Sequence, residues 1–223
     1  MKRLFIPLCT EPYAWFVNGT KEWELRKLSG SFNPKRIKIG QLVELRKGYV
    51  AKNGVCWGKV VDCQAFSSLK DVFMHIPYVK IIKAYSVEDA INYTCNLLKI
   101  SYEGPSDLVA IKIQPLTVLG EIIFDDKYIP LIQDGRKTTT IREGVRSYPS
   151  GLYNAFNKSK NKCILIRVKN TETTFLKFLN DNNAITDGYE SIEVLKNDLR
   201  LYYHNLNNDS HVTIVQFEEV LVP

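Results

Sequence analysis

Histidine is scarce in this chain: three residues, dispersed at positions 75, 204 and 211. Cysteine is present but unorganised, with Cys9, Cys56, Cys63, Cys95 and Cys163 odd in number and nowhere spaced Cys-x-x-Cys. That pattern argues against a zinc site or a disulfide framework, so the thiols read as reduced and buried, and neither metal nor cofactor is expected. No stretch approaches the roughly 20 apolar residues of a membrane span, which removes a membrane partner from the reading. The opening MKRLFIPLCTEPY holds an apolar run too short for a signal peptide, with Glu11 close behind it. The expectation is an intracellular protein, cytoplasmic or nuclear, and not a secreted one. Tracts rich in Pro, Gly or Ser are also missing, so no long disordered linker is expected.

What remains is globular in composition. The 223 residues are 45% hydrophobic, 24% charged and 11% aromatic, with a formal net charge of +6 and a pI near 8.9. That length suits one large domain or two small ones. A basic balance fits a polyanionic partner without requiring one.

Self-similarity supports two domains. Gly19, Lys21, Glu24 and Arg26 in NGTKEWELRKLSG recur 116 residues later as Gly135, Lys137, Thr140 and Arg142 in DGRKTTTIREGVRS. A short helical phrase precedes each motif, EPYAWFVNG or DKYIPLIQDG. A second helix follows it, opening at Ser86-Val87-Glu88 or Ser191-Ile192-Glu193, where Ser is a good N-cap and the acid suits the helix dipole. Each repeat then closes on an alternating run, DLVAIKI or HVTIVQF. The expected division is residues 1–115 and 116–223, at Pro115. Strand and helix signals do not alternate regularly, which disfavours a doubly wound parallel sheet. The fold class is therefore α+β, with a small curved sheet or barrel and two or three flanking helices in each repeat.

The motif has chemical content. Gly19 and Gly135 are placed to end a helix in the left-handed conformation, after which the chain enters a strand. Residues two apart on a strand share a face, so Glu24 lies beside Arg26, and Thr140 beside Arg142. Lys21 or Lys137 stands at the strand entrance. Such a cluster can recognise a base edge, a phosphate or a nucleoside. The plainer alternative is a weak salt bridge on a solvated strand face.

Gly-x-Lys-x-x-Glu-x-Arg behind a helix beginning Pro12-Tyr13-Ala14 resembles the signature of ASCH domains, members of the PUA-like group of small β-barrels associated with RNA. The second repeat, GRKTTTIRE with Asp187-Gly188-Tyr189 before its later helix, is similar to the small bacterial members. Some of those are amidohydrolases that remove the acetyl group of acetylated cytidine with a Lys, a Thr nucleophile and an acid. The resemblance would assign these roles to Lys137, Thr140 and Asp187, the last standing where the enzymes usually carry Glu. Arg136 and Arg142 would supply the positive surroundings that lower the pKa of Lys137. In the first repeat Glu24 replaces the Thr, and residues 82–85 include no acid, so that repeat is expected only to bind or to pack.

Among the nearby aromatics, Trp15 and Trp23 have the spacing of core residues. The loop GVRSYPSG, with Arg146 and Tyr148, reads instead as a cover over a pocket mouth. The basic runs at 35–38 and 158–162 would form a phosphate track only on the side of the motifs. Three functions compete. The favoured one is binding of RNA or a modified nucleoside, with DNA as another candidate polyanion, through Lys21, Glu24, Arg26, Arg136, Arg142, Arg146 and Tyr148. The second is a hydrolase, an amidohydrolase or a nuclease, in the second domain. The third is a protein-interaction adaptor.

Overall fold

The computed structural model describes residues 2–220, and the chain divides into two compact units at Thr117/Val118. The first unit runs β1 (Leu4–Leu8), α1 (Thr10–Val17), β2 (Trp23–Lys27), β3 (Leu42–Lys47), β4 (Val55–Phe66), α2 (Leu69–His75), α3 (Val87–Leu98) and β5 (Leu108–Pro115). The second unit runs β6 (Val118–Phe124), α4 (Tyr128–Gln133), β7 (Thr139–Glu143), β8 (Gly151–Asn157), β9 (Cys163–Phe175), α5 (Asp181–Thr186), α6 (Ile192–Tyr202) and β10 (His211–Glu219). The correspondence is element for element. The sheets agree as well, with orders β1-β3-β4-β5-β2 and β6-β8-β9-β10-β7. In each, the first pair is parallel and the other three are antiparallel.

The closing strand lies inside each sheet, and its alternation divides the core. Val109, Ile111 and Ile113 of β5 join Ile6, Phe16 and Leu45 on one face. Leu108 and Ala110 face the other way and pack with Leu25, Leu69 and Val72. In the second unit Val215 and Phe217 pack with Phe124 and Ile132, while Val212 packs with Ile141 and Leu195. Period-two alternation thus buries both faces of one strand and lets helices cover the outer one. Ser86 and Ser191 cap α3 and α6 as their sequence context predicts, accepting from the backbone N–H of Asp89 and Val194. The short helices α2 and α5, capped by Ser68 and Asn180, complete three per unit, the upper number expected, though each has too few residues to display a helical period.

Neither sheet closes into a barrel by hydrogen-bonded strands: β1 and β2 are the two ends of one, β6 and β7 of the other. An arginine bridges each gap instead. Arg26 of β2 donates to the carbonyl of Pro7 in β1 at 2.6 Å, and Arg142 of β7 donates to the carbonyl of Ile123 in β6 at 2.9 Å. The acceptors are related by the same 116-residue offset as the donors. Each guanidinium also lies over a ring, Phe32 at 5.3 Å or Phe124 at 5.6 Å. The motif arginine is therefore a latch between edge strands. Arg26→Met keeps most of the apolar stem and loses the charged donor, and should destabilise the first unit by about 1.5–3 kcal/mol. Urea unfolding followed by tryptophan emission checks this, because Trp15, Trp23 and Trp57 all lie in that unit.

Candidate functional site: two cavities behind the repeated motif

Each motif begins with a turn that aims its lysine inward. Gly19 and Gly135 have φ of +76° and +72°, as their place after a helix predicts. The backbone N–H of Lys21 then bonds the carbonyl of Trp15, and that of Lys137 the carbonyl of Leu131, both at 3.0 Å. One residue on, Glu22 N–H meets the Lys80 carbonyl and Thr138 N–H meets the Thr186 carbonyl. These bonds fix Ile81 and Asp187 as equivalent positions. The ammonium of Lys21 donates to the Ile81 carbonyl, and that of Lys137 to the Asp187 carbonyl at 2.7 Å.

Both lysines are buried, 6% and 2% exposed, so each needs a counter-charge. The two units supply it from different places. In the first, Glu24 of β2 lies 3.3 Å from the Lys21 ammonium and 2.7 Å from Nε of Arg26. In the second, Thr140 occupies the position of Glu24, and the carboxylate is Asp187, in contact with Lys137 and accepting from the Ile141 N–H at 3.1 Å. Gly188 makes that approach feasible: its φ is +87°, and a Cβ there would meet Leu131 at 3.3 Å. Thr140 Oγ1 accepts from Nη1 of Arg142 at 2.8 Å. Glu24 is 6% exposed, so its pairing with Arg26 is not the solvated surface bridge of the plainer reading.

Burial is the main influence on both ammonium groups. It lowers the pKa of Lys21, helped by Arg26 and opposed by Glu24. It pulls Lys137 well below its ordinary value, helped by Arg142 and Lys127. The Asp187 carboxylate in contact works against that pull. Arg136, expected to contribute, points away and pairs with Asp134 at 2.7 Å; Lys127 takes its part.

A cavity opens over each cluster. The first, about 170 Å³, is lined by Lys21, Glu24 and Arg26 and walled by Leu97, Tyr93 and Trp15, whose ring lies 6.2 Å from that of Tyr93. Trp15 is thus a wall residue, partly exposed, while Trp23 is core as expected. The second cavity, about 200 Å³, brings together Lys137, Thr140, Asp187 and Arg142 beneath Tyr128, Tyr189, Tyr202 and Tyr203. The tyrosines are held by acids: the Tyr128 and Tyr189 hydroxyls bond each other and Asp198, and Tyr202 donates to Asp125. Lys158 reaches this cavity and pairs with Asp125 at 2.7 Å.

The loop expected to cover the pocket does not line it. Tyr148 packs edge-on against Tyr153 of β8, while Arg146 is tied to the end of β7 through the Glu143 carbonyl and to β10 through Thr213. Of the run at 158–162 only Lys158 lines the cavity. Sequence reasoning missed the tyrosine wall. Beyond Tyr189 in the Asp187-Gly188-Tyr189 step, its visible trace is the pair Tyr202-Tyr203, which continues the stripe of Leu195 and Leu199 at the end of α6. Among the described residues no group of three or more His, Cys, Asp or Glu could hold a metal, and no helix is long and apolar enough to cross a membrane.

The buried pair in the second unit leads to a stability prediction. Lys137→Met strands Asp187 and should lower stability by about 3–5 kcal/mol, most of it recovered by adding Asp187→Asn. Folded Lys137 binds its proton less tightly than the unfolded chain does, so unfolding takes up a proton between the depressed value and the ordinary lysine value. Stability should rise with pH across that interval, and the double variant should lack this component. Urea unfolding by circular dichroism over a pH series checks both.

No family model and no curated protein matches the chain. Among solved structures it is similar to the ASCH domain from Lactobacillus crispatus JV V101, at 16% identity and a TM-score of 0.39 over 47% of this chain and 80% of that one. It is also similar to the hypothetical protein PH0355, at 19% identity and a TM-score of 0.41 over 52% and 100%. A third is protein EF3133 from Enterococcus faecalis V583, at 16% identity and a TM-score of 0.37 over 45% and 75%.

Proposed function

We propose that the protein binds RNA, taking an unpaired base or a modified nucleoside into one or both cavities. The observation that carries this reading is the pairing, made twice, of aromatic walls with a floor of lysine, arginine and a carboxylate. Flat rings hold unpaired bases by stacking, and clustered donors and acceptors read their edges. The net charge of +6 supports attraction to the phosphate backbone. DNA single strands offer the same faces with weaker claim, since the family that the motif resembles is associated with RNA.

A second reading has its own observation. Lys137, Thr140 and Asp187 share one cavity, and burial lowers the pKa of Lys137, the direction an amine base requires. Against it, the Thr140 oxygen accepts from Arg142, and among the described residues it donates to no base. The arrangement suits holding a ligand better than deprotonating a threonine.

Binding of single-stranded RNA, measured against salt concentration, tests the main reading. Affinity should fall with salt, Lys158→Ala should reduce the slope by about 1, and Tyr202→Ala should cost about 1–3 kcal/mol. Binding without salt dependence, or none, removes RNA. Release of acetate from acetylated cytidine by the wild type, lost in Thr140→Ala, would instead establish the hydrolase.

A further inference from the structure

The two cavities differ at one decisive place. On the strand that carries the motif, the first presents Glu24, an acceptor without a proton to give. The second presents Thr140, whose oxygen already accepts from Arg142 and whose proton is free to be donated. Both equivalents pair across the sheet with the closing strand, Glu24 with Ile111 and Thr140 with Val215, so the side chains start from matching backbone positions.

Around Glu24 the order of groups is specific. Arg26 lies on one side at 2.7 Å and Lys21 on the other at 3.3 Å, so the carboxylate is flanked by donors. Each neighbour contacts one oxygen as an ion pair, and Arg26 Nε makes no hydrogen bond there, which leaves the carboxylate acceptor capacity toward the cavity. Apart from Thr94 and Cys9, the rest of the lining is apolar or aromatic, with Ile82, Leu97 and Leu98 beside Trp15 and Tyr93. A flat ring between those side chains would meet donor, acceptor and donor along one edge. In the second cavity Asp187 takes over the neutralisation of Lys137 from the segment before α6, so the acceptor that Glu24 places on the motif strand is replaced there by the Thr140 hydroxyl.

Resting on the binding reading above, we propose that the first unit's cavity selects a heterocycle with a lactam or imide edge, an N–H beside carbonyl oxygens, as in uracil. Glu24 accepts the ring N–H, and Lys21 and Arg26 face the carbonyl oxygens. Glu24 is then a specificity-determining residue, and the second unit, with a hydroxyl in its place, lacks this preference.

The chain reports on the first cavity by itself, because all three tryptophans lie in the first unit and Trp15 forms the cavity wall. The experiment titrates the full chain with uridine, 3-methyluridine and cytidine, reading tryptophan emission, with Trp15→Phe as the control for the signal. Methylation replaces the ring N–H by a bulkier N–CH3, whereas cytidine presents a bare nitrogen there without added bulk, so the two together separate the lost donor from a clash. Uridine should bind at least about tenfold more tightly than either, the cost of leaving a buried acceptor unpaired. In Glu24→Thr/Ile81→Asp, which moves the carboxylate to the position it has in the second unit, the ratio of uridine to 3-methyluridine should shrink to about twofold. Equal affinity for uridine and 3-methyluridine in the wild type overturns the proposal, as does preference for cytidine or a ratio unchanged in a folded double variant. The wild-type comparison decides even when the double variant fails to fold. Absence of a response to any nucleoside also overturns it; if single-stranded RNA still binds, the general binding reading survives, and if RNA fails as well, both fall.

Discussion

A lysine ammonium buried behind a strand entrance is the constraint on which both halves of this molecule are built. Removing such a charge from water costs several kcal/mol, so the chain must supply acceptors at fixed positions. It does so with a backbone carbonyl, Ile81 or Asp187, delivered by the segment between two helices, and with a carboxylate. Meeting that need ties the turn after the first helix to a segment some 50 or 60 residues later. The same cluster engages the motif arginine, which latches the two edge strands. Local sequence, long-range packing and the cavity floor therefore share one set of side chains.

The duplication explains what is preserved and what has moved. The helix–Gly–Lys turn, the latch and the closing strand keep their hydrogen bonds in both units. The carboxylate does not keep its place. Glu24 sits on the motif strand in the first unit, while in the second the acid comes from Asp187, and the motif strand carries a hydroxyl. Buried charge balance is conserved, and the chemistry presented to the cavity is changed. A ligand-binding surface can diverge in this way without loosening the fold beneath it.

Much of this was legible in the sequence because it is local. Gly19 and Gly135 announce their left-handed turns, the Ser caps precede their helices, and alternation marks the closing strands. The four-residue offset pattern showed the duplication, and Asp187 was singled out as the acid that the first repeat lacks. The rest depends on residues distant in sequence. Nothing in Arg26 shows that its partner is the carbonyl of Pro7, because a backbone acceptor leaves no mark on residue type. Tyr128, Tyr189 and Tyr202 become a wall only when α4 and α6 pack beside one cavity. Arg146 and Tyr148 misled for the converse reason: a polar, glycine-rich loop beside the motif in sequence is tied in space to Glu143 and Thr213 and to Tyr153 of β8.

The account stands most directly on the claim that Glu24 and Asp187 are alternative solutions to one buried charge. Rebuilding the first unit's arrangement in the second, with Thr140→Glu and Asp187→Ile, tests it through unfolding free energies of the single and double variants. Asp187→Ile alone should be severely destabilised, and the double variant should recover about 2 kcal/mol or more of that loss, a coupling typical of groups sharing one ion pair. Additive losses, with the double variant worse than Asp187→Ile by the full cost of Thr140→Glu, would contradict it.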